Sequence, residues 1–240
     1  MTNEELQHII EKIVKDAFDR IEYAYQHHRE RKQNMNKDKI VEQMPLTRLV
    51  FPRYSKDGEL SGDTRISEQE LRFVFVEAFN ASDDVKKQKL FYSIETPTKE
   101  KYSGFSSTAK KKATPKHDPS GQSGEFDLVI FNDELERVCL IEFKANNASK
   151  IDHEKDLLKL EIEGERILRY FIEVIKAYSE SENDGDNKQK TTIESLKEKF
   201  KLHNKENKTV IKCYALEGKS IRHKQEEEKT GEDISYKFNK

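Results

Sequence analysis

Two apolar runs, EFDLVIF (125–131) and RVCLIEFK (137–144), are separated only by the polar stretch NDELE. Short segments this rich in Val, Ile, Leu and Phe read as strands, and so brief a connection reads as the turn of an antiparallel hairpin. Side chains alternate across a strand with period two. Asp127 therefore shares a face with Val129 and Phe131, while Glu142 and Lys144 share one with Val138 and Leu140. Pairing the strands brings Asp127 close to Glu142 and Lys144. An unpaired charge in such a strand is costly, and two carboxylates held together repel unless a cation lies between them. Oxygen ligands of this hardness suit Mg²⁺. The competing explanation is a structural ion-pair cluster at the end of a sheet, built from the same residues.

The surrounding chain supplies helices on both sides of this hairpin. Leu6, Ile9, Ile10, Ile13, Val14, Ala17, Phe18 and Ile21 fall at helical spacing within residues 3–31. They make one apolar stripe that packs on the core or on a second copy or partner protein. The segment MPLTRLVF (44–51) reads as a short strand or extended stretch. Ser67 and Glu70 form an S-x-x-E capping box ahead of Leu71, Val74, Phe75, Ala78 and Phe79, which predicts a helix to about Asn80. LFYSIET (90–96) reads as a strand stopped by Pro97. Residues 97–124 are Lys-, Ser-, Gly- and Pro-rich and read as a long basic loop.

Beyond the hairpin, Leu157, Leu160, Ile167, Leu168, Phe171, Ile172 and Ile175 suggest one long helix from about Asp152 to Tyr178. A polar linker follows at 179–190, then a helix at 191–203 and a buried strand, TVIKCYAL (209–216). The charged tail 217–240 is a solvated extension in which Ile234, Tyr236 and Phe238 alternate as an edge strand would. The expected architecture is α/β, a three-stranded meander plus one further strand flanked by helices. It divides into an N-terminal helical extension (1–65), a core (66–216) and the tail.

Charged residues make up 38% of the 240-residue chain and hydrophobic ones 34%, with a formal net charge of −2. That balance excludes a globally basic nucleic-acid binder, so any anionic ligand must meet a local patch. The loop holding Lys99, Lys101, Lys110, Lys111, Lys112 and Lys116 is such a patch. No apolar run reaches the ~18 residues that span a bilayer, and no membrane partner is expected. Cys139 and Cys213 sit inside apolar runs and read as reduced core thiols of a cytoplasmic protein.

At SGEFDLVIF and CLIEFKA the chain resembles the PD-(D/E)XK nuclease superfamily, with Phe126 where the motif's proline often stands. The resemblance implies a restriction-endonuclease-like fold over about residues 66–216 and hydrolysis of nucleic-acid phosphodiester bonds. DNA is the implied substrate, with restriction or defence against foreign DNA as a role. It implies a Mg²⁺ site, with Mn²⁺ able to substitute, formed by Asp127, Glu142 and the Phe143 carbonyl. Lys144 would then orient or help deprotonate the attacking water. Several members add a glutamate from the first helix, for which Glu70 is the choice and Glu77 the alternative; Glu95, on the first strand beside the meander, is a further candidate. Where the exonuclease branch carries Q-x-x-x-Y, this chain has Arg166 and Tyr170. Lys110, Lys111 and Lys112 would grip the phosphate backbone, and so would Lys155, together with Lys150, His153 and Lys159. The alternative function is a non-catalytic nucleic-acid- or protein-binding module that keeps the fold.

Overall fold

Ser67 begins a helix in the way its sequence suggests: its Oγ accepts from the Glu70 N–H while the Glu70 carboxylate accepts from the Ser67 N–H. The computed structural model describes residues 1–33, 46–51, 66–104, 114–145, 148–179, 191–201, 208–217 and 231–238. Its helices are α1 (Asn3–Gln33), α2 (Glu68–Ala81), α3 (Asp83–Lys87), α4 (Lys150–Glu163) and α5 (Ile193–Lys201). Its strands are β1 (Phe91–Ser103), β2 (Lys116–His117), β3 (Gln122–Phe131), β4 (Arg137–Ala145), β5 (Leu168–Ser179), β6 (Thr191–Thr192), β7 (Val210–Glu217) and β8 (Glu232–Asp233). Among the described residues no helix is long and apolar enough to cross a membrane.

The strands form one mixed sheet in the order β2-β1-β3-β4-β5-β7-β8, with β6 beside β5. β1, β3 and β4 are antiparallel neighbours, so the meander read from the sequence is present. β4, β5 and β7 run parallel, joined by crossovers through α4 and α5. One apolar layer joins α1 and α2 to the sheet through Phe75, Phe79, Leu128, Ile141 and Phe143. A second joins α4 and α5 through Leu157, Leu160, Phe171, Leu196 and Ile211. The α1 stripe, Leu6 to Tyr25, is buried in the first layer, so it packs on this chain's own core. Cys139 and Cys213 are buried and free.

The largest departure from the expected pattern is β5. Residues 168–178 continue no helix; they are a strand between β4 and β7. From Arg169 to Ile175 every residue is buried, since helices cover both sides of the sheet. A strand buried on both faces loses the alternation that marks it and reads as a continuous apolar run. The strand following the helix after β4 is therefore β5, and the sheet is larger than a meander plus one strand. The turn into it uses Gly164, where an added Cβ would lie 2.5 Å from the Leu160 carbonyl and 1.9 Å from Arg169 Cδ. Gly164→Ala is expected to destabilise the protein by about 1–3 kcal/mol, as overpacking does. A thermal melt of parent and variant checks this.

Other boundaries shift for local reasons. β1 passes through Pro97, which is tolerated because this stretch borders the sheet's open side, and ends at Ser103. Its bulge between Pro97 and Lys101 is held by Glu163 at the end of α4. That carboxylate accepts from the Lys99 and Glu100 N–H groups at 3.0 Å each and pairs with Arg137 at 3.1 Å. The basic loop is accordingly shorter than 97–124, and Lys110, Lys111 and Lys112 lie outside the described residues. Residues 46–51 take no strand pairing, although Phe51 is buried. In the tail, Glu232–Asp233 form the edge strand, and Ser235–Lys237 make a 3-10 turn in place of an alternating strand.

Candidate metal and phosphate site

Leu128 pairs with Ile141, and one step further along the ladder Asp127 comes level with Glu142. This is where the β3–β4 ladder ends, in the middle of β3 and near the end of β4, flanked by α2 and α4. Asp127 Oδ2 accepts from the Phe143 N–H at 2.8 Å, while Oδ1 faces the Arg72 guanidinium at 3.2 Å. Glu142 is 1% exposed, and its Oε1 lies 2.5 Å from Lys159 Nζ. That contact is a close ion pair between two buried groups.

Lys144 Nζ lies 2.6 Å from Asp156 and 3.4 Å from Glu68, and it donates to the Phe143 carbonyl at 3.1 Å. Asp156 in turn holds Lys159 at 2.9 Å, and Lys159 donates to the Glu125 carbonyl at 2.7 Å. The ions alternate: Glu142, Lys159, Asp156, Lys144, Glu68. With Asp127 and Arg72 included, four carboxylates face three cations.

Charge and burial set the protonation of these groups. Burial raises the Glu142 carboxyl well above the usual carboxylate range; Asp156 adds to this and Lys159 offsets part of it. Burial also raises Glu68, with Lys144 opposing. Burial would raise Asp156 as well, but Lys159 and Lys144 outweigh it and hold that carboxyl below its ordinary value. Burial works to lower Lys144, yet Asp156, Glu142 and Glu68 together place it above a normal lysine. Lys144 is therefore an ammonium ion across the ordinary pH range, suited to orienting a negative or polar group and unsuited to accepting a proton.

The structure thus brings together Asp127, Glu142, the Phe143 carbonyl and Lys144. It does not bring Glu70, whose Oε2 accepts from the Ser67 N–H at 2.6 Å in the capping box. Glu77 faces α1 and its neighbours, accepting from Thr47 at 2.9 Å and lying 3.4 Å from Arg20. The α2 acid that reaches Lys144 is Glu68, one turn before Arg72 on the same helix face. Glu95 reaches the site's rim through Arg72 at 3.1 Å. Neither Glu68, Arg72 nor Asp156 is apparent in the sequence, although the D-x-x-K spacing of Asp156 and Lys159 places both on one face of α4.

The lysines and histidine set after the active strand have other places. Lys159 is 6% exposed within the ion cluster, so it is no surface phosphate contact. His153 is wholly buried, between the Ser149 carbonyl and Glu173, each at 3.0 Å. Lys155 is half-buried and Lys150 exposed. Arg166 and Tyr170 straddle the turn into β5, so they share no helix.

For a divalent cation, the donors are two carboxylates and one main-chain carbonyl; among the described residues no group of three His, Cys, Asp or Glu side chains converges. Those donors are hard oxygens, one of them on the fully buried Glu142, in a cluster where carboxylates outnumber cations. The set fits Mg²⁺ or Mn²⁺. Comparison of this chain with protein-family models, curated proteins and solved structures finds no match.

Proposed function

We propose that this protein is a metal-dependent nuclease with a restriction-endonuclease-like core, acting on DNA through Asp127, Glu142, the Phe143 carbonyl and Lys144. The observation that carries the reading is Glu142. A glutamate wholly inside a sheet and level with a second carboxylate is costly to the fold; Lys159 at 2.5 Å offsets its charge at rest, and a divalent cation held between the two carboxylates would offset their mutual repulsion. The order of elements supports it too: α2, the meander β1-β3-β4, α4, then β5 parallel to β4.

When bound, the cation supplies positive charge and Lewis acidity at the scissile phosphate. Asp127, fixed by the Phe143 N–H, would hold the cation through its other oxygen. Glu142, once deprotonated, would supply a second carboxylate oxygen to it. Lys144 stays protonated and orients the attacking group while stabilising charge that grows in the transition state. Asp156 holds the Lys144 ammonium in place at 2.6 Å. Lys110, Lys111 and Lys112, in the Lys-rich segment, contribute backbone grip without base readout.

A second reading, a binding module that keeps the fold, is favoured by the closed alternation of charges, since Lys159 and Arg72 already answer Glu142 and Asp127. Incubation of plasmid DNA with the parent and with Asp127→Asn, with and without Mg²⁺, separates the two. The nuclease reading expects metal-dependent cutting by the parent and at least about a hundredfold loss in the variant. A parent that binds DNA but never cuts it, with any divalent ion, supports the module.

A further inference from the structure

Arg72 is the one cation of the cluster that comes from α2, and it spans two strands. Its Nη2 lies 3.2 Å from Asp127 Oδ1 and its Nη1 3.1 Å from Glu95 Oε1. The side chain is 14% exposed, and its Nε is buried without a hydrogen-bond partner. Glu95 sits in β1 between the Ile94–Leu128 and Thr96–Phe126 pairs, hence level with Asp127. It does so at a φ of 49°, the left-handed region that a glutamate in a strand rarely adopts. Two carboxylates on adjacent strands are thus turned toward one guanidinium. The other oxygen of Asp127 is committed to the Phe143 N–H at 2.8 Å, so Oδ1 is the oxygen through which Asp127 meets a cation.

Resting on the metal-site reading above, we propose that Arg72 competes with the divalent cation for Asp127, holding that carboxylate while the cation is away and giving it up when the cation binds. A guanidinium and a divalent ion on the same carboxylate oxygen repel each other strongly inside a protein. The unsatisfied Nε means that the guanidinium surrenders little when it leaves, because in water it regains a partner. Its departure also frees a planar fork of donors at the edge of the site, the geometry that recognises a phosphodiester. Arg72 is in this sense a positioning residue: it acts on Asp127 and sets how readily the metal loads.

The test is Mn²⁺ titration of the full chain by calorimetry, without nucleic acid, for the parent, Arg72→Gln and Arg72→Lys, with melting curves to confirm folding. Removing the guanidinium lifts its repulsion of a divalent ion on the same carboxylate oxygen. Arg72→Gln is therefore expected to bind Mn²⁺ about tenfold tighter or more. Arg72→Lys, which keeps a charge but reaches only one carboxylate, should tighten less. A purely structural Arg72 would leave metal affinity unchanged or weaken it. A parent that binds Mn²⁺ and a folded Arg72→Gln that binds it no tighter overturns the inference and leaves the metal site standing. If Arg72→Gln does not fold, an unchanged affinity in Arg72→Lys overturns it equally. Binding by Arg72→Gln alone supports it as complete competition in the parent. No binding by any of the three removes the metal site itself, and the inference with it.

Discussion

Lys144→Ala is expected to cut DNA about 10²–10³-fold more slowly than the parent in Mg²⁺, the usual cost of removing one preorganised positive group from a site where charge develops. Its metal binding should be retained or slightly tightened, because ligation needs the carboxylates and the lost group was a neighbouring cation. The separation is legible in the geometry. The Lys144 ammonium touches the Phe143 carbonyl at 3.1 Å and Asp156 at 2.6 Å, beside the proposed ligands and not among them. The carboxylates around it keep its proton on, so its contribution is charge and orientation, and raising the pH through the neutral range should not switch it on as a base. Single-turnover cleavage and Mn²⁺ titration of the same preparations check both halves. A folded, metal-binding variant that cuts as fast as the parent removes Lys144 from the chemistry.

Lys159→Met is expected to lose about 3–5 kcal/mol of stability, since it keeps the stem but leaves Glu142 and Asp156 buried without the cation between them. For a chain of this size that is a fall of about 6–20 °C in Tm. The deficit should shrink in acid, and the sign follows from two opposite shifts. Glu142, already raised, takes up a proton early as the pH falls, which removes the charge that Lys159 answered. Asp156 is depressed in the folded state, so the stability it contributes is present above its unfolded value and is lost as the pH falls through the lower folded one. Both changes bring parent and variant together. Urea unfolding at neutral and acid pH measures the gap; a gap that widens in acid would mean Lys159 does not serve as the counter-ion of these two groups.

The elements with strong local signals were legible in the chain itself. α2 announces its start through the Ser67–Glu70 box, and β3 and β4 announce themselves through short apolar runs around a tight polar connection. The period of two put Asp127 and Glu142 on one face, because alternation is a property of any extended backbone; what sets them level is the register shift between Ile130 and Phe131, which the sequence does not mark. Burial decided the rest. β5 could not be told from a helix, since cover on both faces removes the polar alternation that would have marked it. The partners of the site were equally beyond the sequence: Glu68 and Arg72 come from α2, Asp156 and Lys159 from α4, and only the packing of both helices on the sheet brings them to the β3–β4 junction. Glu70 shows the same limit from the other side, for a carboxylate that its own helix end can satisfy locally is taken there first. Local pattern determined which charges lie inside the sheet; tertiary structure decided which charges answer them, because a buried ion must be paired by whatever the fold brings within reach.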